Sequence, residues 1–437
     1  MNDPKKSLKR EIGLIGLSAN IINIIIGAGI FVLPAIVAAD LGAASILAYI
    51  FCGVLITLIM LCFAEVGSKI TATGGVYTYI ERSFGHYAGF LTAILFLFSN
   101  ITGTAAVANA IINIISQIFQ IHENPFIKVL FFLFLFGGLA YINILGLKKG
   151  VGLVKMITLI KLSPLLLLVL IGFKDVSLVN LQWETAPSLQ QIGTTSLILF
   201  FAFSGAGSAL SVNGEVKNPQ KTIPRAILLS TLIILIIYII IQTVAQGVLG
   251  DTLPLFIENP LGEVANKIIG PIGFTLLTIG AAVSMFGNVS SKVLSTPRIF
   301  FAASLDQVIP IKKLSDIHSK YLTPHISIIV YASLCFLFSI AGGFKELAIL
   351  SSATSLLIAL GISIAVIKLR RKDRYNTDSK SFRIPGGATI PILSSIAILW
   401  FLSNLSLNKM IAVGLSIIFL TVVFFAINSK LKKNRRP

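Results

Sequence analysis

Charged residues are scarce in this chain. Of its 437 residues only 12% are charged, whereas 55% are hydrophobic, and the mean hydropathy is +0.92. A water-soluble fold cannot bury so much apolar surface, which excludes the common soluble classes of protein. We therefore predict an all-α, polytopic membrane protein whose function is built inside the bilayer.

Cysteine and histidine are also rare. The cysteines lie within apolar runs and the histidines at the edges of such runs or in loops, and neither set has metal-ligand spacing. The composition thus predicts no disulfide framework, no metal site and no cofactor. Paired acids or histidines deep in the apolar runs are missing too, which disfavours an intramembrane enzyme. The residues concerned are Cys52, Cys62, Cys335, His86, His122, His318 and His325.

The apolar runs predict about twelve membrane spans. Roughly 20 apolar residues cross a hydrocarbon core. On that measure the candidate spans lie at about 12–38, 42–65, 86–118, 126–145, 151–173, 190–214, 224–249, 270–297, 323–341, 346–367, 388–405 and 408–428.

The basic residues have an uneven distribution along the chain. The net charge is +18, and most of the 35 Lys and Arg fall in the two tails and in the connections after spans 2, 4, 6, 8 and 10, which lie on the same side as the tails. This is the positive-inside pattern, which places both termini in the cytoplasm of a plasma (bacterial inner) membrane. The basic clusters can also contact anionic lipid. Binding of nucleic acid is disfavoured, because the charge follows the spans.

Two spans carry interruptions. The first contains Ile26-Gly27-Ala28-Gly29, and the sixth contains the run "SGAGS" at residues 204–208. Five spans separate their starts, so they enter the membrane from opposite sides. Paired interruptions of this kind are typical of transporters with inverted repeats. We predict a single transporter domain over 1–437, with repeats at about 12–173 and 190–367 and additional helices at about 388–428. Close helix packing is the alternative explanation of the glycines.

An interrupted membrane helix leaves backbone groups that lipid cannot satisfy. The half-helix that follows the break directs free N–H groups and a positive dipole end into the protein, which suits a carboxylate. The carbonyls that end the preceding half-helix suit an ammonium. Two such breaks side by side could therefore hold both ends of a zwitterion. A compact site of this kind disfavours a channel.

Several motifs support the same class. "IIIGAGIFVLPA", "GGVYTYIERSFGHYAGF", "FFAFSGAGSALSVNGEVKNPQKTIPRAI" and "STPRIFFAASLDQVIP" occur in that order. Together they resemble the signatures of the amino acid–polyamine–organocation (APC) superfamily of transporters. The resemblance implies a five-plus-five inverted repeat, secondary transport of amino acids or related amines, and alternating access by rocking of spans 1, 2, 6 and 7 against spans 3, 4, 8 and 9.

The resemblance also implies a set of substrate-binding residues. In span 1 the backbone amides would hold the substrate carboxylate; in span 6 the carbonyls would receive the ammonium, with Phe201 as a lid and Phe203 either shaping the pocket or packing. A polar stripe on span 3 would face the cavity, or alternatively bond neighbouring helices. These predicted residues are Ile26, Gly27, Ala28, Gly29, Ser99, Asn100, Gly103, Thr104, Phe201, Ala202, Phe203, Ser204 and Gly205.

Lys161 lies two to three turns inside span 5, where a lysine costs roughly 2.5–3.5 kcal/mol unless it is paired or hydrated. Snorkelling toward the cytoplasm is the alternative. In APC members that use protons or need no sodium, a lysine at this place substitutes for sodium, and the resemblance implies Ser284 and Asn288 of span 8 as its partners. Because burial disfavours the charged form, such a lysine could also exchange a proton.

The span 6 motif has Gly207 where several exchangers of basic amino acids carry a glutamate. A cationic side chain would lack a counter-charge, which is costly in a buried site. We therefore predict a transporter of neutral amino acids, proton-coupled or sodium-independent. The alternatives are exchange or export, including of cationic substrates. A channel or an intramembrane enzyme is more distant, and the sequence predicts neither the particular amino acid nor the oligomeric state.

Overall fold

The computed structural model describes residues 10, 12–70, 76–119, 124–146, 151–183, 185–209, 215–309, 311–373 and 382–433, and the statements below concern those residues. Within them the regular structure is helical, apart from one isolated β-bridge. Seven helical stretches are long and apolar enough to cross a membrane on their own, and four shorter apolar helices accompany them. The prediction of an all-α polytopic membrane protein is confirmed.

The first five spans are formed by six helices, with a short amphipathic helix, α4, between spans 2 and 3. In chain order they are α1 (Leu14–Ile25) and α2 (Ala28–Leu41) of span 1, α3 (Ser45–Lys69) of span 2, α4 (Val76–Phe84), α5 (His86–Phe119) of span 3, α6 (Pro125–Ile144) of span 4 and α7 (Val151–Gly172) of span 5.

The remaining spans follow the same pattern, with additional short helices on either side of span 8. They are α8 (Leu189–Phe203) and α9 (Ala206–Ala209) of span 6, α10 (Pro219–Leu249) of span 7, α11 (Pro260–Ile269), α12 (Pro271–Ser295) of span 8, α13 (Pro297–Leu305), α14 (His325–Ala341) of span 9, α15 (Phe344–Asp373) of span 10, α16 (Thr389–Ser403) of span 11 and α17 (Leu407–Lys433) of span 12.

The spans form two packed groups. Spans 1 and 2 pack on spans 6 and 7, while spans 3 and 4 pack on spans 8 and 9; span 10 contacts both groups. Small residues permit the close contacts, as is usual in membrane helices. A Cβ placed on Gly53 of span 2 would lie 2.4 Å from a methyl of Leu235 in span 7, so a side chain does not fit there. This division matches the two moving groups that the resemblance implies.

Spans 1 and 6 run in opposite directions. Ile12, just before span 1, pairs as a β-bridge with Val216, just after span 6. Its N–H donates to the Glu215 carbonyl at 3.0 Å, and its carbonyl accepts from the Lys217 N–H at 2.9 Å. The start of the first span therefore lies beside the end of the sixth, as the inverted halves require.

A charged network connects three elements at the same end as the basic connections. Glu65 of span 2 is fully buried and accepts hydrogen bonds from the Arg370 guanidinium of span 10 and, at 2.9 Å, from the Ile384 N–H. Lys69 lies 3.3 Å from the same carboxylate. Nearby, Tyr77 of α4 donates to Asp306 at 2.8 Å, and burial raises the pKa of this tyrosine. The Glu65 contacts hold span 2 to span 10, and the Tyr77 contact holds α4 to the end of α13.

Candidate functional site

Span 1 is interrupted at mid-length, as predicted, but over a shorter stretch. Only Ile26 and Gly27 leave the helical conformation, and Ala28 and Gly29 already begin α2. The first-turn amides of α2, which begin at Ala28, have no intrahelical acceptor, since a helix start always leaves its first N–H groups free. The predicted anion-binding amides are therefore at a helix N-terminus.

Span 6 is interrupted at Ser204 and Gly205, between α8 and the short α9. Gly205 has φ +115°, a conformation that residues with a Cβ rarely adopt. A Cβ at this glycine would also lie 3.1 Å from Cγ2 of Ile24, near the end of α1. The backbone turn and the close approach to span 1 both favour glycine here.

The two interrupted helices meet. A Cβ placed on Gly29 would lie 2.6 Å from both Cα and Cβ of Ala202, which is closer than real side chains come. Because Gly205 also lies against Ile24, span 6 contacts span 1 on both sides of the interruption. The glycines thus serve close packing and helix breakage together, so the two explanations considered above are not exclusive.

The carbonyls at the end of α8 already have donors. The Phe201 carbonyl accepts from the Ser204 N–H at 3.1 Å and from the Ser204 hydroxyl at 2.8 Å. The Ala202 carbonyl accepts from the Tyr238 hydroxyl of span 7 at 2.9 Å. A carbonyl has two lone pairs, so Ala202 keeps one for an ammonium, whereas Ser204 would have to release Phe201.

A cavity of about 50 Å³, lined by both polar and apolar residues, lies beside the span 6 interruption. It extends from the interruption toward α4, the end of the protein that carries the basic connections. Five predicted residues line it: Ser99, Asn100, Phe203, Ser204 and Gly205. Ile26, Gly27, Ala28, Gly29, Gly103, Thr104, Phe201 and Ala202 are outside its immediate lining.

The polar stripe of span 3 divides between the cavity and its neighbours. Ser99 hydrogen-bonds the Ser355 hydroxyl at 2.7 Å and the Ser351 carbonyl at 3.0 Å, both in span 10. Asn100 accepts at 3.3 Å from Ser208, which follows the span 6 interruption. Thr104 instead hydrogen-bonds the buried Tyr331 hydroxyl of span 9 at 2.7 Å. Cavity lining and helix-to-helix bonding thus both occur in this stripe.

The two aromatic residues of span 6 have different surroundings. Phe203 packs on Tyr238 with ring centroids 4.9 Å apart and also lines the cavity. Phe201 makes an edge-to-face contact with Phe344 of span 10 at 5.6 Å. Phe344 lines a second cavity of about 270 Å³ on the opposite side, together with Val32 and Ile36 of α2. The Phe201–Phe344 pair therefore stands between two cavities.

Sequence reasoning missed Lys292 of span 8, which lines the central cavity. A Cβ at Gly103 would lie 3.3 Å from the Lys292 Nζ, which places the ammonium beside span 3. A signal was present, since Ser284, Asn288 and Lys292 recur every four residues and share one helical face. The lining serines Ser351 and Ser355 were missed as well, although "SSATS" is a polar cluster inside span 10.

The predicted coupling residues of span 8 lie beside the span 1 interruption. The Asn288 side-chain N–H donates to the Ile24 carbonyl at 3.0 Å, and a Cβ at Gly27 would lie 3.1 Å from the same amide nitrogen. Among the described residues, the buried Asn288 Oδ1 and Ser284 Oγ have no hydrogen-bond partner. Both are therefore acceptors available to a donor or a cation.

Lys161 lies in α7, but its side chain is outside the described part of the structure. The depth of Lys161 in the membrane can be judged from a contact between spans 5 and 8. A Cβ at Gly280 of span 8 would lie 3.0 Å from Pro164 Cγ of span 5. Lys161 precedes Pro164 by one turn and Ser284 follows Gly280 by one turn. Because spans 5 and 8 are antiparallel, both of these one-turn displacements lead toward the same end of the protein. The backbones of Lys161 and Ser284 therefore lie at a similar depth.

Two crossing interrupted helices, with a partly polar cavity on one side and a second cavity beyond an aromatic pair, define a membrane transporter of a small solute. The model of the family described as "Amino acid permease" matches residues 12–430. This chain therefore belongs to the amino acid permease family.

Known proteins similar to this chain agree in class. The serine/threonine exchanger SteT of Bacillus subtilis is 29% identical over 96% of both chains, and the branched-chain amino acid permease BcaP of the same organism is 25% identical over 98% of this chain and 95% of its own. The cystine/glutamate transporter of Pongo abelii is 29% identical over 96% and 85%.

A solved structure shows the same fold. The crystal structure of MhsT in complex with L-phenylalanine superposes with a TM-score of 0.66 at 15% identity, covering 91% of this chain and 99% of that one. The predicted family and the inverted-repeat fold are thereby confirmed. The binding residues predicted from sequence remain predictions.

Proposed function

We propose that residues 1–437 form one transporter domain that carries neutral amino acids across the plasma membrane by alternating access. The observation that carries this proposal is the crossing of the two interrupted helices at Gly29 and Ala202. There the free amides of α2 suit the substrate carboxylate, and the end of α8 with its Ala202 carbonyl suits the ammonium.

Alternating access is supported by the two cavities and by the helix grouping. The Phe201–Phe344 pair separates the central cavity from the one on the opposite side. Rocking of spans 1, 2, 6 and 7 against spans 3, 4, 8 and 9 would part these rings and close the central cavity near Val76. There the fit is already tight, since a Cβ at Gly207 would lie 2.7 Å from the Val76 side chain.

Neutral substrates are supported by the charges around the cavity. No carboxylate of the described residues lines it, whereas Lys292 does. A cationic side chain would therefore meet repulsion and lack a counter-charge. The names of three similar proteins include serine, threonine and branched-chain amino acids, which are neutral, and also cystine and glutamate.

Sodium-independent transport follows from the expected position of Lys161. An ammonium one turn from Pro164 would lie level with Ser284, and the orphaned acceptors of Ser284 and Asn288 suit it as hydrogen-bond partners. In this arrangement the lysine takes the place of a sodium ion, and its burial would allow it to exchange a proton in the transport cycle. Both termini would face the cytoplasm, following the positive-inside distribution.

Purified protein in liposomes tests these points. Uptake of each radiolabelled amino acid is measured with and without a pH gradient, in sodium and in choline buffer, and with empty or amino-acid-loaded vesicles. We expect uptake of neutral amino acids without sodium and little uptake of arginine. A requirement for internal amino acid would identify exchange, as the name of the similar SteT suggests.

The Lys161→Ala variant tests the coupling proposal within the same assay. We expect its uptake to lose the response to the pH gradient, because the titrating group is gone. Lys174→Ala removes an exposed lysine just after span 5 and serves as the matched control, expected to keep the wild-type response. A pH response that survives in Lys161→Ala, or a requirement for sodium in the wild-type protein, would contradict the proposal.

A further inference from the structure

A groove of about 320 Å³ runs between spans 4 and 9 and is open to the surroundings of the protein. Its walls extend from Leu133 to Ile144 on span 4 and from Ile329 to Phe336 on span 9, and the lining is apolar except for Tyr141 and Ser333. At 1.5 Å per residue the span 4 wall is about 16 Å long. That is roughly half of a hydrocarbon core of about 30 Å, so the groove has the depth of one lipid leaflet.

The protein itself leaves the groove unfilled. Gly137 forms part of the span 4 wall, and a Cβ placed there would meet no atom within 4 Å. The bulky side chains of Leu133 and Ile329 are exposed along the same walls. An apolar groove of this shape at membrane depth suits an acyl chain, which gains dispersion contacts on both sides.

The connection between spans 8 and 9 lies across one end of the groove. The Thr323 hydroxyl donates to the carbonyl of Ile144, the last groove residue of span 4, at 2.8 Å. A Cβ at Gly146 would lie 3.4 Å from the Tyr321 carbonyl oxygen. The groove therefore ends against polar backbone at the side of the protein that carries the basic connections.

This end of the groove is basic. Lys320 is exposed there, with its Nζ 5.4 Å from the centroid of the neighbouring Tyr321 ring. Lys312 and Lys313 are exposed on a short helix that packs on the start of span 9. Within the described residues, none of these three lysines takes part in an ion pair. Their charges are therefore available to an anion.

The same connection also presents apolar side chains to its surroundings. Ile311, Ile317 and Leu322 are exposed, and Leu322 has 77% of its surface accessible on a backbone with φ +54°. Apolar side chains next to lysines are typical of a segment at the bilayer interface, where the apolar groups meet lipid and the ammonium groups reach the headgroups. The lysines would then lie level with the lipid phosphates.

We propose that the groove between spans 4 and 9 binds one anionic phospholipid, with an acyl chain in the groove and the phosphate beside Lys320. Charge favours this occupant. The connections at residues 145–150 and 306–324 together carry five lysines against two aspartates, which attract an anionic headgroup. A second copy of this chain is disfavoured, because a dimer axis along the membrane normal would bring the same basic connections together.

The lipid would stay bound throughout a transport cycle. Spans 4 and 9 pack on each other and belong to the same group of helices, so rocking of the two groups leaves the groove intact. Lipid binding at this groove is also independent of which solute the protein carries.

The test measures lipid binding to the purified full-length protein in detergent, by native mass spectrometry and by thermal unfolding. Phosphatidylglycerol and phosphatidylcholine with identical acyl chains are titrated, and glycerol 3-phosphate serves as a headgroup without acyl chains. Gly137→Leu fills the groove from span 4, and Ser333→Phe fills it from span 9. Gly138→Leu is the matched control, because a Cβ there also meets open space and Gly138 is not part of the described lining.

We expect phosphatidylglycerol to bind more tightly than phosphatidylcholine and to raise the unfolding temperature more, as a ligand of the native state does. Gly137→Leu and Ser333→Phe should lose bound phosphatidylglycerol, whereas Gly138→Leu should retain it. Lys320→Gln should weaken binding of phosphatidylglycerol by about 5-fold, the factor typical of one lysine beside anionic lipid. It should leave binding of phosphatidylcholine unchanged, and Lys174→Gln, at an exposed position after span 5, should change neither.

Equal affinity for the two lipids, or wild-type binding of phosphatidylglycerol in both groove-filling variants, would refute the proposal. Equal stabilisation by glycerol 3-phosphate would also refute it, because an anion site without the groove would explain the result. Groove-filling variants that convert a dimer to a monomer and keep the lipid would assign the groove to a second copy. If one of these variants fails to fold, the other variant and Lys320→Gln decide. None of these outcomes depends on amino acid uptake, which the liposome assay measures separately.

Discussion

The crossing of spans 1 and 6 makes a strong prediction for Gly29→Ala. In the structure a Cβ on Gly29 would lie 2.6 Å from the Cα and Cβ of Ala202. Both are atoms of another helix close to its backbone, so no flexible side chain can move aside to relieve the clash. The two interrupted helices must separate, and the groups proposed to hold the substrate separate with them.

The magnitude follows from the cost of overpacking a tight contact. One added methyl in such a contact typically costs about 1–3 kcal/mol. If the strain is felt in the substrate-bound state, the affinity falls by roughly 5- to 150-fold, since about 1.4 kcal/mol corresponds to a factor of ten. Alanine is also a better helix former than glycine, by about 1 kcal/mol or less. This small gain in helix stability offsets part of the cost of overpacking.

The assay is equilibrium binding of the best transported amino acid to purified protein, together with uptake into liposomes and thermal unfolding in detergent. Gly414→Ala in span 12 is the matched control, because no atom lies within 4 Å of a Cβ there. Gly29→Ala should bind weakly while Gly414→Ala binds as the wild type does. Wild-type affinity in Gly29→Ala would refute the close crossing of the two helices.

Two further predictions concern contacts around the site. Phe344→Ala removes the ring that contacts Phe201 at 5.6 Å, and we expect bound substrate to dissociate about 2- to 10-fold faster, given about 0.5–1.5 kcal/mol for an aromatic pair; an unchanged dissociation rate would contradict the barrier role. Glu65→Gln leaves Arg370 without its carboxylate partner. Breaking a fully buried ion pair costs about 3–5 kcal/mol of folding stability. The cost should be smaller here, because Arg370 retains some exposure. Thermal unfolding should fall clearly below that of wild type and of Glu81→Gln, whose contact with a histidine is exposed; equal values for the two variants would argue against the network.

The spans and both interruptions could be predicted because each depends on local sequence. An apolar run of sufficient length has no stable place outside the membrane, and glycines within it weaken the helix wherever they occur. The limits of the interruption could not be predicted from composition alone. Ala28 and Gly29 resume the helix because Gly29 packs on Ala202, which is a contact between residues far apart in the sequence.

The position of Lys292 shows why the binding site was predicted only in part. A lysine near the end of a span normally extends toward water. Helical side chains, however, point back toward the N-terminus of their own helix, and span 8 begins at the opposite side of the membrane. The Lys292 side chain can therefore extend inward beside Gly103. Only the arrangement of spans 3 and 10 reveals that this inward space exists.

Periodicity predicted the polar face of span 3 but not the neighbours of each residue. Ser99 and Thr104 lie close together on that face, yet Ser99 bonds span 10 beside the cavity and Thr104 bonds Tyr331 of span 9. Spacing defines which side chains point the same way, whereas the packing of other helices decides which of them reach the cavity. The assignment of individual binding residues needed tertiary structure for this reason.

The central claim is that two crossing interrupted helices hold a small zwitterion, and a substrate-bound structure at high resolution tests it most directly. Purified protein would be imaged with the amino acid for which liposome uptake shows the lowest KM. We predict density for its carboxylate at the amides that begin α2, next to Gly29, and density for its ammonium near the Ala202 carbonyl. Substrate bound away from both interruptions, or spans 1 and 6 running as continuous helices, would contradict the account.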